Sequence, residues 1–194
     1  MSIKILCDKL KKYMGNTIIS TLYLFLPCYV ANMAPVIAKR FNILSSLAVP
    51  IDGSRDGKEG VLGKNKTYRG LIVGLLAGVI TAEFQLLLCR FDFSNSINLF
   101  PLQADNAVLW GFLLGAGALA GDLVKSLIKR KVGLKPGERW IPWDQLDMVV
   151  GGIAFGSLMY RFSWTNVIIL LIISPILIIS VNIFSYLMRI KDNW

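Results

Sequence analysis

From Thr165 to Leu187 the chain carries no charged residue and is overwhelmingly apolar, with Pro175 and Asn182 among its few interruptions. A stretch of that kind constrains the fold more than any other feature, because about 20 apolar residues cross the roughly 30 Å hydrocarbon core of a bilayer as one helix. Inside lipid the backbone must satisfy its own hydrogen bonds, which leaves helices as the economical solution for a chain of this pattern. Four further apolar segments recur, over roughly Thr17–Ala38, Gly70–Cys89, Asn106–Leu123 and Met148–Phe162. The expected fold is an all-α integral membrane protein of about five transmembrane helices, one domain over 1–194, with polar loops at about 39–69 and 125–147. With 55% hydrophobic residues in 194, there is little room for a separate soluble domain.

Within this frame the polar and small residues carry information. Residues Met1–Asn16 place Ile3, Leu6, Leu10 and Tyr13 at helical spacing with lysines between them, which predicts a surface-lying amphipathic piece. The apolar run after it is long enough to span and has no small-residue cleavage pattern, so the segment reads as retained rather than as a signal peptide. Pro27, Asn32 and Pro35 predict a kinked first span, since lipid offers no partner for freed backbone groups; the kink reads either as a helix buried against its neighbours or as a broken end that shapes a cavity near Asn32. Gly74 and Gly78 allow close helix packing, and with the other glycine-rich spans they permit a homodimer. Glu83 reads as a buried structural hydrogen-bonding group. Cys7, Cys28 and Cys89 are far apart and lack Cys-x-x-Cys spacing, so they read as small hydrophobes rather than as a zinc site or a disulfide framework.

Charge sets the orientation. The two long loops hold seven and six basic residues and the C-terminal tail adds Arg189 and Lys191. The positive-inside rule then places both loops and the C-terminus in the cytoplasm, with the N-terminus outside a cell membrane crossed several times. The four N-terminal lysines oppose this assignment. A net charge of +9 fits a phosphorylated substrate or anionic lipid, and no nucleic-acid partner is expected. The absence of histidine excludes His-based acid–base catalysis, the Ser-His-Asp triad and His-rich metal sites.

The stretch from Gly121 to Asp147 concentrates the remaining chemistry. Asp122 is followed by Lys125, Ser126, Lys129, Arg130, Lys131 and Lys135, and then by Asp144 and Asp147. Carboxylates suit Mg²⁺, which prefers one or two protein carboxylates together with substrate phosphates, and Lys and Arg suit the phosphates. Asp144 and Asp147, spaced i, i+3, share one face of a helix. Asp144 alone would equally serve as an acid at a helix N-terminus. The first loop ends in Gly63-Lys64-Asn65-Lys66-Thr67-Tyr68-Arg69-Gly70, a glycine-rich basic run that lacks the P-loop pattern and reads either as a phosphate clamp or as a solvated loop. With both loops on one face, the reading is a metal-assisted nucleotide or phosphate site at the bilayer surface.

At these residues the chain resembles the CDP-diacylglycerol synthase family. The resemblance rests on Gly121-Asp122-Leu123, Ser126, Lys129-Arg130, Lys135, Pro142, Asp144 and Asp147. It is closer to that family's shorter branch, the CDP-archaeol synthases, through Tyr29 to Pro35, Pro50-Ile51-Asp52, Leu62-Gly63, Lys66 to Gly70, Trp140-Ile141-Pro142 and Asp144 to Asp147. The longer relatives carry His-Gly-Gly and Asp-Arg where this chain has Pro142-Trp143 and Asp144-Gln145. Tyr68 stands where Trp is usual.

The resemblance implies CTP:lipid-phosphate cytidylyl transfer, giving a CDP-lipid and pyrophosphate. It implies Asp122, Asp144 and Asp147 as Mg²⁺ ligands and catalytic groups, with Lys129 and Arg130 on phosphates. Asn32, Asp52, Lys66, Thr67, Arg69, Ser126 and Lys135 are implied as substrate-binding. The implied partners are CTP and a membrane lipid phosphate, digeranylgeranylglyceryl phosphate by branch. The alternatives are the same chemistry on phosphatidic acid or a polyprenyl phosphate and, from another class, a small ion or solute transporter.

Overall fold

The computed structural model of the chain describes residues 15–54, 60–63, 65–89, 97, 99–100, 102–134, 138 and 140–188. The N-terminal amphipathic piece up to residue 14, Lys135, and the tail cations Arg189 and Lys191 lie outside the described residues. The described helices are α1 (Gly15–Leu24), α2 (Leu26–Arg40), α3 (Tyr68–Leu88), α4 (Ala107–Lys131), α5 (Trp143–Gly156) and α6 (Trp164–Leu187).

The first expected span is two helices. α1 and α2 meet at a 51° bend, and Pro27 sits in the first turn of α2. Proline has no N–H to donate to the carbonyl four residues earlier, which here belongs to Tyr23. That freed carbonyl accepts a hydrogen bond from Gln85 Nε2 of α3 at 2.5 Å, so the break is repaired by a neighbouring helix, as a low-dielectric setting demands. Gln85 is 1% exposed. It fills the buried polar role expected of Glu83, which is only half-buried. Pro35 is accommodated inside α2. Its freed acceptor, the Ala31 carbonyl, lies 3.0 Å from where a Cβ on Gly74 would stand.

α3, α4 and α6 are each long and apolar enough to cross a bilayer, and the bent pair α1–α2 is a further candidate span. α5 occupies part of the expected fourth span, 148–162, but has 14 residues, about 21 Å at 1.5 Å per residue. It stops at Gly156, and a turn leads to Ser163, whose capping box with Asn166 starts α6. Asn166 also donates to Thr21 Oγ1 at 2.7 Å, and Tyr29 Oη pairs with Ser174 Oγ at 2.6 Å. These two polar contacts tie α6 to the bent first pair. The core between the helices is built on Phe25, Cys28, Trp110, Leu114, Met148 and Leu170. Cys28 is a buried thiol, in line with the small-hydrophobe reading. Cys7 lies outside the described residues.

The second expected loop is corrected. α4 does not end at Leu123 but continues as helix to Lys131, so Lys125, Ser126, Lys129 and Arg130 are helical, and Asp144 and Asp147 belong to α5. The physical reason lies in the sequence: after Asp122 no helix breaker occurs before Gly133, and cations in the last turn favour the helix C-terminus. Termination follows the Schellman pattern, with Gly133 at φ +85° and the N–H groups of Leu134 and Gly133 donating to the carbonyls of Lys129 and Arg130. α2 ends similarly, with Asn42 at φ 51°.

Glycine sets how closely α4 approaches α5. A Cβ on Gly117 would collide with the Gly151 carbonyl, and one on Gly121 would collide with the Asp147 carbonyl. On the other side of α4, a Cβ on Gly78 of α3 would lie 2.7 Å from the Gly111 carbonyl. Gly74 and Gly78 are therefore spent inside the chain, on α2 and α4, and the dimer face expected from them is not available. Gly121→Val is expected to cost at least about 1–3 kcal/mol by overpacking, read as a lower melting temperature of the detergent-purified protein. Gly15→Ala, which meets nothing within 4 Å, should not lower it.

Candidate active site

Because α4 and α5 touch backbone to backbone at Gly121 and Asp147, Asp122 and Lys125 of one helix face Asp144 and Asp147 of the other. Lys125 Nζ lies 3.1 Å from Asp122 Oδ1, 3.6 Å from Asp144 Oδ1 and 2.6 Å from Asp147 Oδ2. Lys66 forms an ion pair with Asp122, and Lys129 Nζ stands 3.1 Å from both oxygens of Asp144. Asp144 also accepts the Trp140 backbone N–H at 2.6 Å. It thus acts as a first-turn acid that reaches back to order the chain entering α5, and as a partner of two lysines. Three carboxylates and three ammonium groups interleave. At such distances, in a partly desolvated site, these pairs far exceed their worth in bulk water.

The first loop reaches the same place. Pro50 and Thr67 form an isolated antiparallel bridge, with the Ile51 N–H donating to the Lys66 carbonyl at 2.9 Å. Thr67 then caps α3, its Oγ1 accepting from the Gly70 N–H at 3.2 Å. Lys66, held between bridge and cap, is thereby aimed at Asp122. The loop is closed by Asp52. Its carboxylate accepts from Ser54 Oγ at 2.5 Å, the Ser54 N–H at 3.1 Å, the Leu62 N–H at 2.6 Å and the Gly63 N–H at 3.0 Å. These bonds, led by the Ser54 hydroxyl, hold its pKa down at about 2.

A polar pocket of about 150 Å³ opens between loop and helix, lined by Leu62, Gly63, Asn65, Lys66, Lys125, Ser126, Lys129 and Arg130. Arg130 donates through Nη1 to the Leu134 carbonyl. Its buried Nε has no partner among the described residues and faces the Gly63 backbone, 3.8 Å from where a Cβ would stand. Ser126 spends its hydroxyl on the Asp122 carbonyl at 2.8 Å. The pocket is smaller than the roughly 300 Å³ of a full ligand cleft and has the size and charge for phosphate groups.

Of the residues singled out by sequence, the structure brings together Asp122, Lys129, Arg130, Asp144, Asp147, Lys66 and Ser126. Thr67 and Asp52 stand beside them with their side chains engaged in loop structure. Arg69 is buried in the first turn of α3 and lies off the pocket lining. Asn32 lines a different space, a groove of about 410 Å³ between α2, α5 and α6 that also includes Tyr29, Met148, Ile178 and Asn182. Of the two readings of the kinked first span, the one with a cavity near Asn32 is therefore met by this groove. Lys135 lies outside the described residues. Lys125 and Asn65 entered the sequence reading only as members of a basic cluster and a basic loop, with no individual role. The i, i+3 spacing of Asp122 and Lys125 was the available signal for the first.

Do these acids suit a divalent cation? The three carboxylates supply hard oxygen donors around one point, and the Lys125 ammonium marks that point as cation-binding. Among the described residues they do not close to metal-cage spacing on their own. Mg²⁺ needs only one or two protein carboxylates when phosphates complete its shell, so the donor set fits.

Comparison with known proteins places this geometry in context. A family model described as "CarS-like: CDP-archaeol synthase" matches residues 14–194. The CDP-archaeol synthase of Methanocaldococcus jannaschii is 33% identical over 175 residues, covering 90% of this chain and 96% of that protein. The CDP-archaeol synthase of Thermococcus kodakarensis is 35% identical over 179 residues, covering 91% and 96%. A solved structure of an intramembrane enzyme for archaeal membrane lipids biosynthesis superposes with a TM-score of 0.64 at 25% identity, covering 84% of this chain and 92% of that one.

The Asp52 staple yields a pH prediction. A carboxylate lowered from 3.8 to about 2 stabilises the loop fully above its unfolded pKa and loses that contribution as pH falls through the folded value. Hydrogen exchange at Leu62 and Gly63, corrected for intrinsic rates, should show constant protection from pH 7 to about 4 and loss toward pH 2. Asp52→Asn should reduce that protection already at pH 7.

Proposed function

The chain belongs to the CDP-archaeol synthase family, and from that premise we propose the reaction and the role of each residue. It is a membrane enzyme that transfers a cytidylyl group from CTP to a lipid phosphate. A phosphate oxygen of the lipid forms a bond to the α-phosphorus of CTP, the bond from that phosphorus to the β-phosphate bridging oxygen breaks, and pyrophosphate leaves. The lipid phosphate is already an oxyanion, so the reaction requires no histidine and no protein nucleophile. The work falls to positioning and charge neutralisation. By branch, the acceptor is the digeranylgeranylglyceryl phosphate.

The observation that carries the assignment is the juxtaposition of three acids with a cationic pocket of phosphate size. Asp122, Asp144 and Asp147 would hold Mg²⁺. When bound, that ion supplies Lewis-acid neutralisation of charge on the phosphates. Lys66, Lys129 and Arg130 bind triphosphate oxygens in the pocket, the unpartnered Nε of Arg130 being available for one of them. Ser126 fixes the backbone beside Asp122, while Thr67 and Asp52 hold the loop that carries Lys66.

The lipid enters from the other side. The groove between α2, α5 and α6 is overwhelmingly apolar and runs to Met148, the neighbour of Asp147. A lipid tail lying there brings its phosphate to the acid cluster, with Asn32 and Asn182 as the polar groups along the way. The fold proposed for this work is a single membrane domain in which α1–α2, α3, α4, α5 and α6 make five passes, α5 being a short one buried against α4. The polar face is cytoplasmic, where CTP is found, with the N-terminus outside and the C-terminus inside.

Purified protein with radiolabelled CTP and Mg²⁺ should form a CDP-lipid from digeranylgeranylglyceryl phosphate in preference to phosphatidic acid or a polyprenyl phosphate. Preference for phosphatidic acid would move the chain to the diacylglycerol reaction, and no product from any acceptor would remove the assignment. Asp144→Asn and Asp147→Asn should each lower turnover by about 10²–10³-fold, the scale on which a single electrostatic stabiliser acts. A double variant that still turned over would overturn the metal assignment.

A further inference from the structure

Lys125 borders two sites at once. Its ammonium contacts Asp122, Asp144 and Asp147, and its side chain lines the phosphate-sized pocket together with Lys66, Lys129 and Arg130. The other lysines are each committed to one acid, Lys66 to Asp122 and Lys129 to Asp144. Lys125 is the cation common to the set, and among the described residues it alone pairs with Asp147. The Asp147 side chain is only 6% exposed. A negative charge so buried calls for a counter-charge beside it, and in this structure the Lys125 ammonium supplies it at 2.6 Å.

The charge count indicates when the cation changes. Asp122, Asp144 and Asp147 are balanced one for one by Lys66, Lys125 and Lys129. A divalent ion arriving alone would have to displace an ammonium and leave surplus positive charge in a partly desolvated site. Arriving with a triphosphate, it brings the negative charge that the displaced ammonium needs, and the pocket that would receive that phosphate adjoins the same side chain.

We propose that Lys125 is a placeholder cation. It holds the three acids in register in the metal-free chain, and it passes to the nucleotide phosphates as a divalent ion takes the acids. Metal without nucleotide is thereby disfavoured, and the two ligands enter together. The proposal rests on the metal reading given above and makes Lys125 a positioning residue for it.

Binding of Mn²⁺ alone, followed by the paramagnetic signal of the free ion, tests this on the full chain in detergent. Lys125→Met keeps the aliphatic stem and removes the charge, and it should bind Mn²⁺ roughly tenfold tighter than the parent chain, a shift within the usual range of coupling between sites. Its metal-free melting temperature should fall and recover with Mn²⁺. Lys125→Arg, which keeps a cation, should bind Mn²⁺ no more tightly than the parent. A purely structural lysine would give the opposite sign, since disordering the acids weakens the metal. Equal or weaker Mn²⁺ binding by Lys125→Met overturns the placeholder role.

Should Lys125→Met fail to fold, amine acylation of the unaltered chain read by mass spectrometry decides the matter. Labelling of Lys125 should rise with Mn²⁺ alone and fall again when CTP is added with it. Labelling that ignores both ligands overturns the proposal. Asp147→Asn separates the two readings: if it binds Mn²⁺ as well as the parent, the metal assignment itself is wrong. If it loses Mn²⁺ while Lys125→Met shows no gain, only the placeholder role falls.

Discussion

The structure depends on one contact, the backbone-to-backbone approach of α4 and α5 at Gly117, Gly121 and Gly151. A side chain at any of these positions would collide with a carbonyl of the facing helix. Within lipid there is little hydrophobic gain from pressing two apolar helices together, so close approach through small residues is the principal way to gain packing energy. Here the same contact has a chemical consequence. Gly121 lies against the Asp147 carbonyl, and the next residue along is Asp122. Bringing the helices close therefore places carboxylates from two elements around one ammonium. A seam one side chain wider would leave a set of separate surface ion pairs, each worth little.

Charge is handled in the same way across the polar face. Asp122, Asp144 and Asp147 are each answered by a lysine, and the connections that meet the site are fixed there by short-range devices. Thr67 and the bridge to Pro50 fix Lys66, Asp52 gathers the N–H groups of Leu62 and Gly63, Gly133 ends α4 just after its basic turn, and Asp144 holds the Trp140 N–H. These devices consume carboxylate and hydroxyl groups whose residue types alone suggested direct substrate contact. Asp52 and Thr67 support the site through the loop rather than by standing in the pocket.

Much of this was legible in the sequence, and the parts that were not have identifiable causes. The apolar runs specified helices because lipid leaves few alternatives, and the glycine spacing pointed to close packing. That Gly74 and Gly78 would be used within the chain rather than between copies depended on which helix came to face them, a tertiary fact. The acids and cations from Asp122 to Asp147 were recognisable as one site from their types and order. The error lay in reading the charged half of α4 as loop: hydropathy marks where the apolar stretch ends, and a helix with no breaker carries on past that point. Lys125 was legible only as one more cation of the basic cluster because its meaning is relational. It matters through contact with three acids, two of which arrive from another helix. Arg69 shows the converse, a basic residue in a suggestive motif that is buried in α3 and does not line the pocket.

The most direct test of the account is the position of the metal and triphosphate in a crystal of this chain grown with Mn²⁺ and a CTP analogue that cannot transfer its cytidylyl group. Anomalous density for Mn²⁺ is expected between Asp122, Asp144 and Asp147, with the triphosphate on Lys66, Lys129 and Arg130. Metal density away from the α4–α5 seam, or a triphosphate bound without contact to that pocket, would contradict it.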